Sequence, residues 1–121
     1  MANKNNTSFP SCTVTITLTP EARNFLAGTT AGVSHFAIYN DLLDNMAIVD
    51  TSFSKRGNIV PLLTGQAESS AHSMSERWKL GRKSMVRILS TMDDLGIIRL
   101  HTSRLASISD MLSVDKCQTN D

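Results

Sequence analysis

The most concentrated cationic chemistry in the chain lies at the start of one amphipathic segment, where Arg82, Lys83 and Arg87 fall within six residues. A guanidinium group can donate to two phosphate oxygens, or to O6 and N7 of one guanine, and serine and threonine hydroxyls also donate to phosphate. The segment therefore carries the side chains that a nucleic-acid surface needs. Its candidate contacts, on a helix predicted from residue 82 to residue 95, are Arg82, Lys83, Ser84, Arg87 and Thr91, with Ser90 as an alternative to Thr91.

The distribution of charge along the chain supports the same interpretation. Residues 77–104 contain seven Lys or Arg and two Asp, so this segment carries a net charge of +5; the whole chain carries +1, which leaves −4 for the remainder. Such asymmetry indicates a surface for a polyanion, and an ordinary solvated basic face is the alternative. The flanking candidates for contacts to a nucleic-acid backbone or minor groove are Arg77, Arg99, His101 and Arg104.

A pair of helices would position these cations. Residues 73–97 contain two helical patterns separated by three or four residues. Met74 and Trp78, four residues apart, predict the buried face of the first helix. The second helix has an apolar stripe with helical spacing, and Gly96 is a natural stop for it. The residues of this stripe are Met85, Ile88, Leu89 and Met92.

Two hairpins and one further helix are predicted around this pair. Ser34 is placed to cap a helix over residues 35–48. The next segment predicts a hairpin with its tip near residues 55–58. After Gly96, two short strand patterns surround a turn near residues 103–106. The apolar face expected for the helix over residues 35–48 consists of Phe36, Tyr39, Leu42, Leu43 and Met46.

The stretch GQAESSAHSMSERWKLGRKSMVRILSTMDDLGII, residues 65–98, resembles the winged helix-turn-helix of bacterial regulators, and most closely the variety found in phage replisome organisers and primosomal initiation proteins. The resemblance extends over about residues 34–114. It implies an α+β fold with a helix, a β-hairpin, a two-helix helix-turn-helix and a C-terminal β-wing. The matching residues are Tyr39, Leu42, Leu43, Gly65, Gln66, Met74, Ser75, Trp78, Arg82, Met85, Arg87, Leu89, Met92, Gly96 and Ile98.

An extra N-terminal strand and short helix lie outside that pattern. Strict alternation over residues 13–18 predicts a half-buried strand, and Thr19 suits the N-cap of a short helix after it. This segment resembles a ribbon-helix-helix, in which Thr13, Thr15 and Thr17 would face DNA. The alternatives are that it covers part of the domain or forms a dimer contact.

The chain is therefore expected to divide into a flexible N-terminus (1–12), an N-terminal strand and short helix (13–33), a winged helix-turn-helix domain (34–114) and a flexible tail (115–121). No apolar run approaches the roughly 18 residues of a membrane span, and the polar start lacks a secretory signal, so a cytoplasmic location is expected. The cysteines and histidines lack ligand spacing, and no catalytic set is complete. No metal, cofactor or enzymatic activity is predicted.

These features predict a small protein that binds double-stranded DNA by inserting the helix over residues 82–95 into the major groove, and the resemblance implies a bacterial one. The expected role is that of a transcriptional regulator, or of an accessory factor for replication or transfer of a mobile element. A homodimer is expected if the DNA site is palindromic. The alternative is a winged-helix module that binds other proteins of a replication or conjugation complex.

Overall fold

Four helices and nine strands make up the mixed α+β fold of residues 12–119, the part of the chain that the computed structural model describes. All strand pairs are antiparallel. The helices are α1 (Pro20–Leu26), α2 (His35–Asp44), α3 (Ala71–Trp78) and α4 (Arg82–Asp94). The strands are β1 (Cys12–Ile16), β2 (Thr29–Thr30), β3 (Val33–Ser34), β4 (Thr51–Lys55), β5 (Asn58–Leu62), β6 (Gln66–Glu68), β7 (Arg99–Thr102), β8 (Ser107–Asp110) and β9 (Val114–Thr119).

The N-terminal strand β1 pairs with β9 of the same chain, with Val14 opposite Cys117. Its threonines are exposed and its alternate apolar residues are half-buried, so the predicted strand is confirmed. In the ribbon-helix-helix alternative this strand would pair with its counterpart in a second copy. Residues 115–119, expected in a flexible tail, instead lie in β9. Because β9 is polar, its pairing rests on backbone hydrogen bonds that its composition does not reveal. Apart from Cys12, the segment 1–12 lies outside the described residues.

The helices α1 and α2 begin at the side-chain caps that the sequence predicts. Thr19 Oγ1 accepts a hydrogen bond from the Ala22 amide at 3.1 Å. Ser34 Oγ accepts one from the Ala37 amide, also at 3.1 Å. Each cap satisfies an amide that has no partner within its helix, which is why the helix starts there.

Helix α2 ends earlier than predicted, and its predicted buried face is confirmed for Tyr39, Leu42 and Met46 but not for Phe36. It stops at Asp44 rather than residue 48, because the Ala47 amide donates to the Gln66 carbonyl oxygen at 2.8 Å and this bond holds the chain against β6. Ile38 is fully buried, whereas Phe36, expected on the buried face, is 48% exposed. Ile38 and Phe36 are two residues apart, or about 200° around the helix, so burying Ile38 turns Phe36 towards the surface.

The hairpin predicted near residues 55–58 is confirmed as β4 and β5, joined by Arg56 and Gly57. Both turn residues have positive φ, 52° and 81°, which is the backbone of a two-residue hairpin turn. The three-residue strand β6 was not predicted. It pairs with β8 and extends the β7–β8 hairpin into a three-stranded sheet of order β6–β8–β7.

The hydrophobic core includes apolar residues of all four helices and of β6. Met85 and Met92 of α4 are completely buried, and Ile88 and Leu89 are 3% exposed, so the predicted stripe is confirmed. Ile97 and Ile98, which follow Gly96, are also buried. One side of α4 is thereby fixed in the core, and the opposite side lies at the surface.

Candidate nucleic-acid interface

A three-residue turn, residues 79–81, connects α3 to α4. Helix α3 ends where Lys79 adopts the left-handed conformation, with φ 56° and ψ 43°. The Leu80 amide then donates to the Ser75 carbonyl oxygen at 3.0 Å, and the Leu80 side chain packs against the core. This hydrogen bond and apolar contact together form a Schellman-type helix end. They fix the start of α4 relative to α3.

The solvent side of α4 carries the three cations that the sequence predicts as contacts. Arg82, Lys83 and Arg87 are exposed, and none of them has a carboxylate partner within the described part of the chain. Lys83 and Arg87 lie one turn apart on the side opposite the buried stripe, and Arg82 lies on the flank nearer β7. The 13 residues of α4 span about 20 Å, so these cations occupy its first half.

The predicted hydroxyl contacts differ in their availability. Thr91 is half-buried, and its Oγ1 donates to the Arg87 carbonyl oxygen of the same helix at 2.9 Å. Ser84 is half-buried at the edge of the face. Ser90 is exposed and lies three residues after Arg87, so its hydroxyl joins the cationic face. Helical spacing from Lys83 and Arg87 is the sequence signal that favours Ser90 over Thr91.

Two acidic residues limit the cationic face at the C-terminal end of α4. Asp93 Oδ1 accepts a hydrogen bond from the Leu100 amide at 3.3 Å, which connects the helix end to β7. Asp94 is exposed seven residues after Arg87, which places it on the same side and about 10 Å further along. A polyanion would therefore contact the N-terminal half of α4 in preference to its C-terminal half.

Arg77, the candidate on α3, is held by a carboxylate instead of being available to a ligand. Asp41 Oδ2 accepts hydrogen bonds from Arg77 Nε at 2.9 Å and Nη2 at 2.7 Å, and from Trp78 Nε1 at 2.9 Å. The Asp41 side chain is only 14% exposed. These bonds join α2 to the end of α3. The role of Arg77 in the structure is to position the helix pair.

Arg104 lies at the turn of the β7–β8 hairpin and is exposed. Ser103 Oγ orders this turn by accepting hydrogen bonds from the amides of Leu105 and Ala106, both at 3.2 Å. The Arg104 guanidinium has no carboxylate partner among the described residues. Like the cations of α4, it is available to an anion.

Arg99 and His101 lie on a different surface from the α4 cations. They alternate along β7 with Leu100, which packs against the core, so both face outward from the sheet on the side away from α4. His101 Nε2 donates to Asp110 Oδ2 at 2.8 Å, and Gln66 Nε2 donates to Asp110 Oδ1 at 2.7 Å. The hydrogen bond from His101 lowers the pKa of Asp110, partial burial opposes this, and the Gln66 bond adds to it. The structure does not bring these two candidates together with Arg82 and Arg104.

Within residues 12–119, no group of three or more His, Cys, Asp or Glu side chains is arranged to hold a metal ion. No helix of the same range is long and apolar enough to cross a lipid bilayer. Comparisons with protein-family models, with curated proteins and with solved structures gave no match.

Proposed function

We propose that residues 34–114 form a winged helix-turn-helix domain that binds double-stranded DNA by inserting α4 into the major groove. The order of the elements supports this proposal: α2, a hairpin with β6, the pair α3 and α4, and the hairpin β7–β8 follow one another along the chain. In this interpretation the β7–β8 hairpin is the wing, and β1, α1 and β9 are additions to the domain.

One observation carries the proposal: α4 buries its apolar stripe completely and leaves Arg82, Lys83 and Arg87 exposed and without carboxylate partners in the described chain. A helix with its side chains is about 10–12 Å across, which fits a major groove about 12 Å wide. Unpaired guanidinium groups on its outer side can contact phosphates or guanine edges without first breaking an internal ion pair. The terminal acids lie away from the entering end.

The biological role that fits this proposal is that of a cytoplasmic bacterial DNA-binding protein. It would act in transcriptional regulation or as an accessory factor in replication or transfer of a mobile element, as the resemblance to replisome organisers and primosomal proteins implies. A palindromic DNA site would require a homodimer, because two-fold protein symmetry matches two-fold site symmetry. Selection of bound sites from random duplexes would identify the target and any such symmetry.

The proposal is tested by fluorescence anisotropy with a labelled duplex at moderate salt. The double variant Arg82→Ala, Arg87→Ala should lose at least about tenfold in affinity, because each bidentate contact to a base contributes about 1–3 kcal/mol. The control is Arg23→Ala on α1, which removes an exposed cation beside a cleft that has no lining residue in common with the two clefts at Arg82. Unchanged affinity of the double variant, with its circular dichroism intact, would reject α4 as the contact.

A second candidate function, a protein-interaction module of a replication or conjugation complex, is favoured by the β4–β5 hairpin. Ile59 and Pro61 of its second strand, and Leu63 directly after that strand, are exposed, with Ile59 at 71% and Leu63 at 50%. An apolar sheet face of this kind is typical of protein contacts. A protein that is not retained on heparin or DNA resin would favour this second function, whereas retention that added salt reverses favours DNA binding.

A further inference from the structure

The turn of the β4–β5 hairpin places an arginine in an unfavourable backbone conformation. Arg56 has φ 52°, the left-handed region, at the first position of a two-residue turn. Asn, Asp and Gly are the residues preferred there, because other side chains crowd the backbone in this region. Residues held in such sparsely populated backbone regions cluster at functional sites, where the side chain has a role.

The Arg56 side chain lies at a cleft that two other arginines share. Arg82 from the start of α4 and Arg104 from the β7–β8 turn also line this cleft, whose volume is about 500 Å³. The three cations come from three separate elements of the fold. No acidic residue of the described chain lines the cleft, and none of the three guanidinium groups has a carboxylate partner there. We call it the three-arginine cleft.

A fourth cation that lines the cleft, Lys55, is already paired with a carboxylate. Lys55 Nζ donates to Glu68 Oε2 at 2.9 Å, and the two side chains are 26% and 38% exposed. This ion pair joins the hairpin to β6, which holds the Arg56 turn in place beside α4 and the β7–β8 hairpin. Ser70 and Ser73, at the start of α3, line the same cleft, and their hydroxyl groups can also donate to an anion.

We propose that the three-arginine cleft binds a backbone phosphate of the DNA duplex, so that the β4–β5 hairpin is a contact point beside the wing. The three arginines line one cleft that no acidic side chain of the described chain lines, so a phosphate there could accept hydrogen bonds from their guanidinium groups. The inference rests on the proposed function, because Arg82 places the cleft next to the end of α4 that enters the groove. It adds Arg56, which neither the charge pattern nor the helix spacing indicated.

The variant Arg56→Asn gives a sharp test, because Asn suits the left-handed turn and removes only the cation. Its thermal midpoint should equal or exceed that of the wild type. Loss of one of the three cations at this phosphate should make the slope of log K against log salt less negative, by up to about 0.9, and should weaken binding alike for all duplex sequences. Arg104→Ala should give the same change. The pair should be less than additive when combined, since both would contact one phosphate.

The controls separate this inference from the proposed function. Arg23→Asn on α1 removes the same charge elsewhere and should leave the slope unchanged. If Arg56→Asn leaves affinity and slope unchanged while Arg82→Ala, Arg87→Ala still weakens binding by at least about tenfold, the cleft proposal is overturned and the function of α4 stands. If the wild-type protein itself shows no salt-sensitive DNA binding, both proposals are overturned.

Discussion

Removal of the Asp41 carboxylate should lower the free energy of unfolding, because this group connects α2 to the helix pair that positions α4. Its Oδ2 accepts two hydrogen bonds from Arg77 and one from the indole Nε1 of Trp78, at 2.7–2.9 Å. The variant Asp41→Ala leaves the guanidinium without its partner and the indole N–H of a half-buried tryptophan without an acceptor. It therefore weakens the contact between α2 and the helix pair.

The magnitude follows from the exposure of the two donors. The Arg77 side chain is 47% exposed, so solvent screening reduces its ion pair to about 0.5–1 kcal/mol. The bond from the Trp78 indole to a charged acceptor contributes about 1.5–2 kcal/mol, because its loss leaves a sheltered donor unsatisfied. Together these give a loss of about 2–3 kcal/mol in the free energy of unfolding. For a domain of this size that corresponds to about 6–12 °C in Tm.

Urea unfolding followed by far-ultraviolet circular dichroism measures this change. Asp44→Ala is the matched control, since Asp44 lies three residues later on the same helix, is exposed, and has no side-chain partner among the described residues. Its unfolding free energy should stay within about 0.5 kcal/mol of the wild type. A loss for Asp41→Ala no larger than that of Asp44→Ala would refute the assignment of Asp41 as the link between α2 and α3.

Three further predictions concern a cap and two titrating groups. Gly81 caps α4 without a side-chain hydrogen bond, at an ordinary φ of −63° and with open space around its Cα, so Gly81→Ser and Gly81→Asp should each stabilise by about 0.5–1 kcal/mol in urea unfolding. Only Gly81→Asp should also weaken DNA binding in anisotropy titrations, and an equal effect of both would contradict this. His101 lowers the pKa of Asp110, so the stability that this pair contributes is present above about pH 4 and is lost as pH falls through the lowered pKa. Acid titrations of urea midpoints should therefore be flatter for Asp110→Asn than for the wild type, and equally steep curves would count against the pairing. Tyr39→Phe removes a buried hydrogen bond of 2.6 Å to Ser113 and should cost about 1–2 kcal/mol. Because burial raises the pKa of Tyr39, wild-type stability should fall above about pH 10 and that of the variant should fall less, whereas parallel curves would argue against it.

The parts of the fold that the sequence predicts are those set by neighbours along the chain. Thr19 and Ser34 cap their helices through bonds to residues three positions later, and the α4 stripe repeats with the helical period. The Arg56–Gly57 turn likewise follows from a local pattern between two strands. Such signals can be identified from the sequence alone, because they depend only on residues that lie close together along the chain.

The parts that the sequence does not predict depend on distant partners. β6 is a strand because β8 lies beside it, and polar β9 is a strand because of β1. Distant partners also decide which of the predicted site residues are free. Arg77 is paired with Asp41, 36 residues earlier, so its charge alone did not show that its guanidinium is occupied. Arg56 lies 26 residues before Arg82 and meets it only through the fold. Sequence spacing identified the cations of one helix but could not group cations from separate elements.

The central claim, that the outer side of α4 enters DNA, is tested most directly by following backbone amide signals of the ¹⁵N-labelled protein during titration with a short mixed-sequence duplex. The predicted result is that the largest shifts fall at Arg82, Lys83, Arg87 and Ser90 and at the β7–β8 turn near Arg104, that α1 is unaffected, and that added salt reverses the changes. Shifts confined to α1 and the β1–β9 pair, or none at all while the protein remains folded, would contradict it.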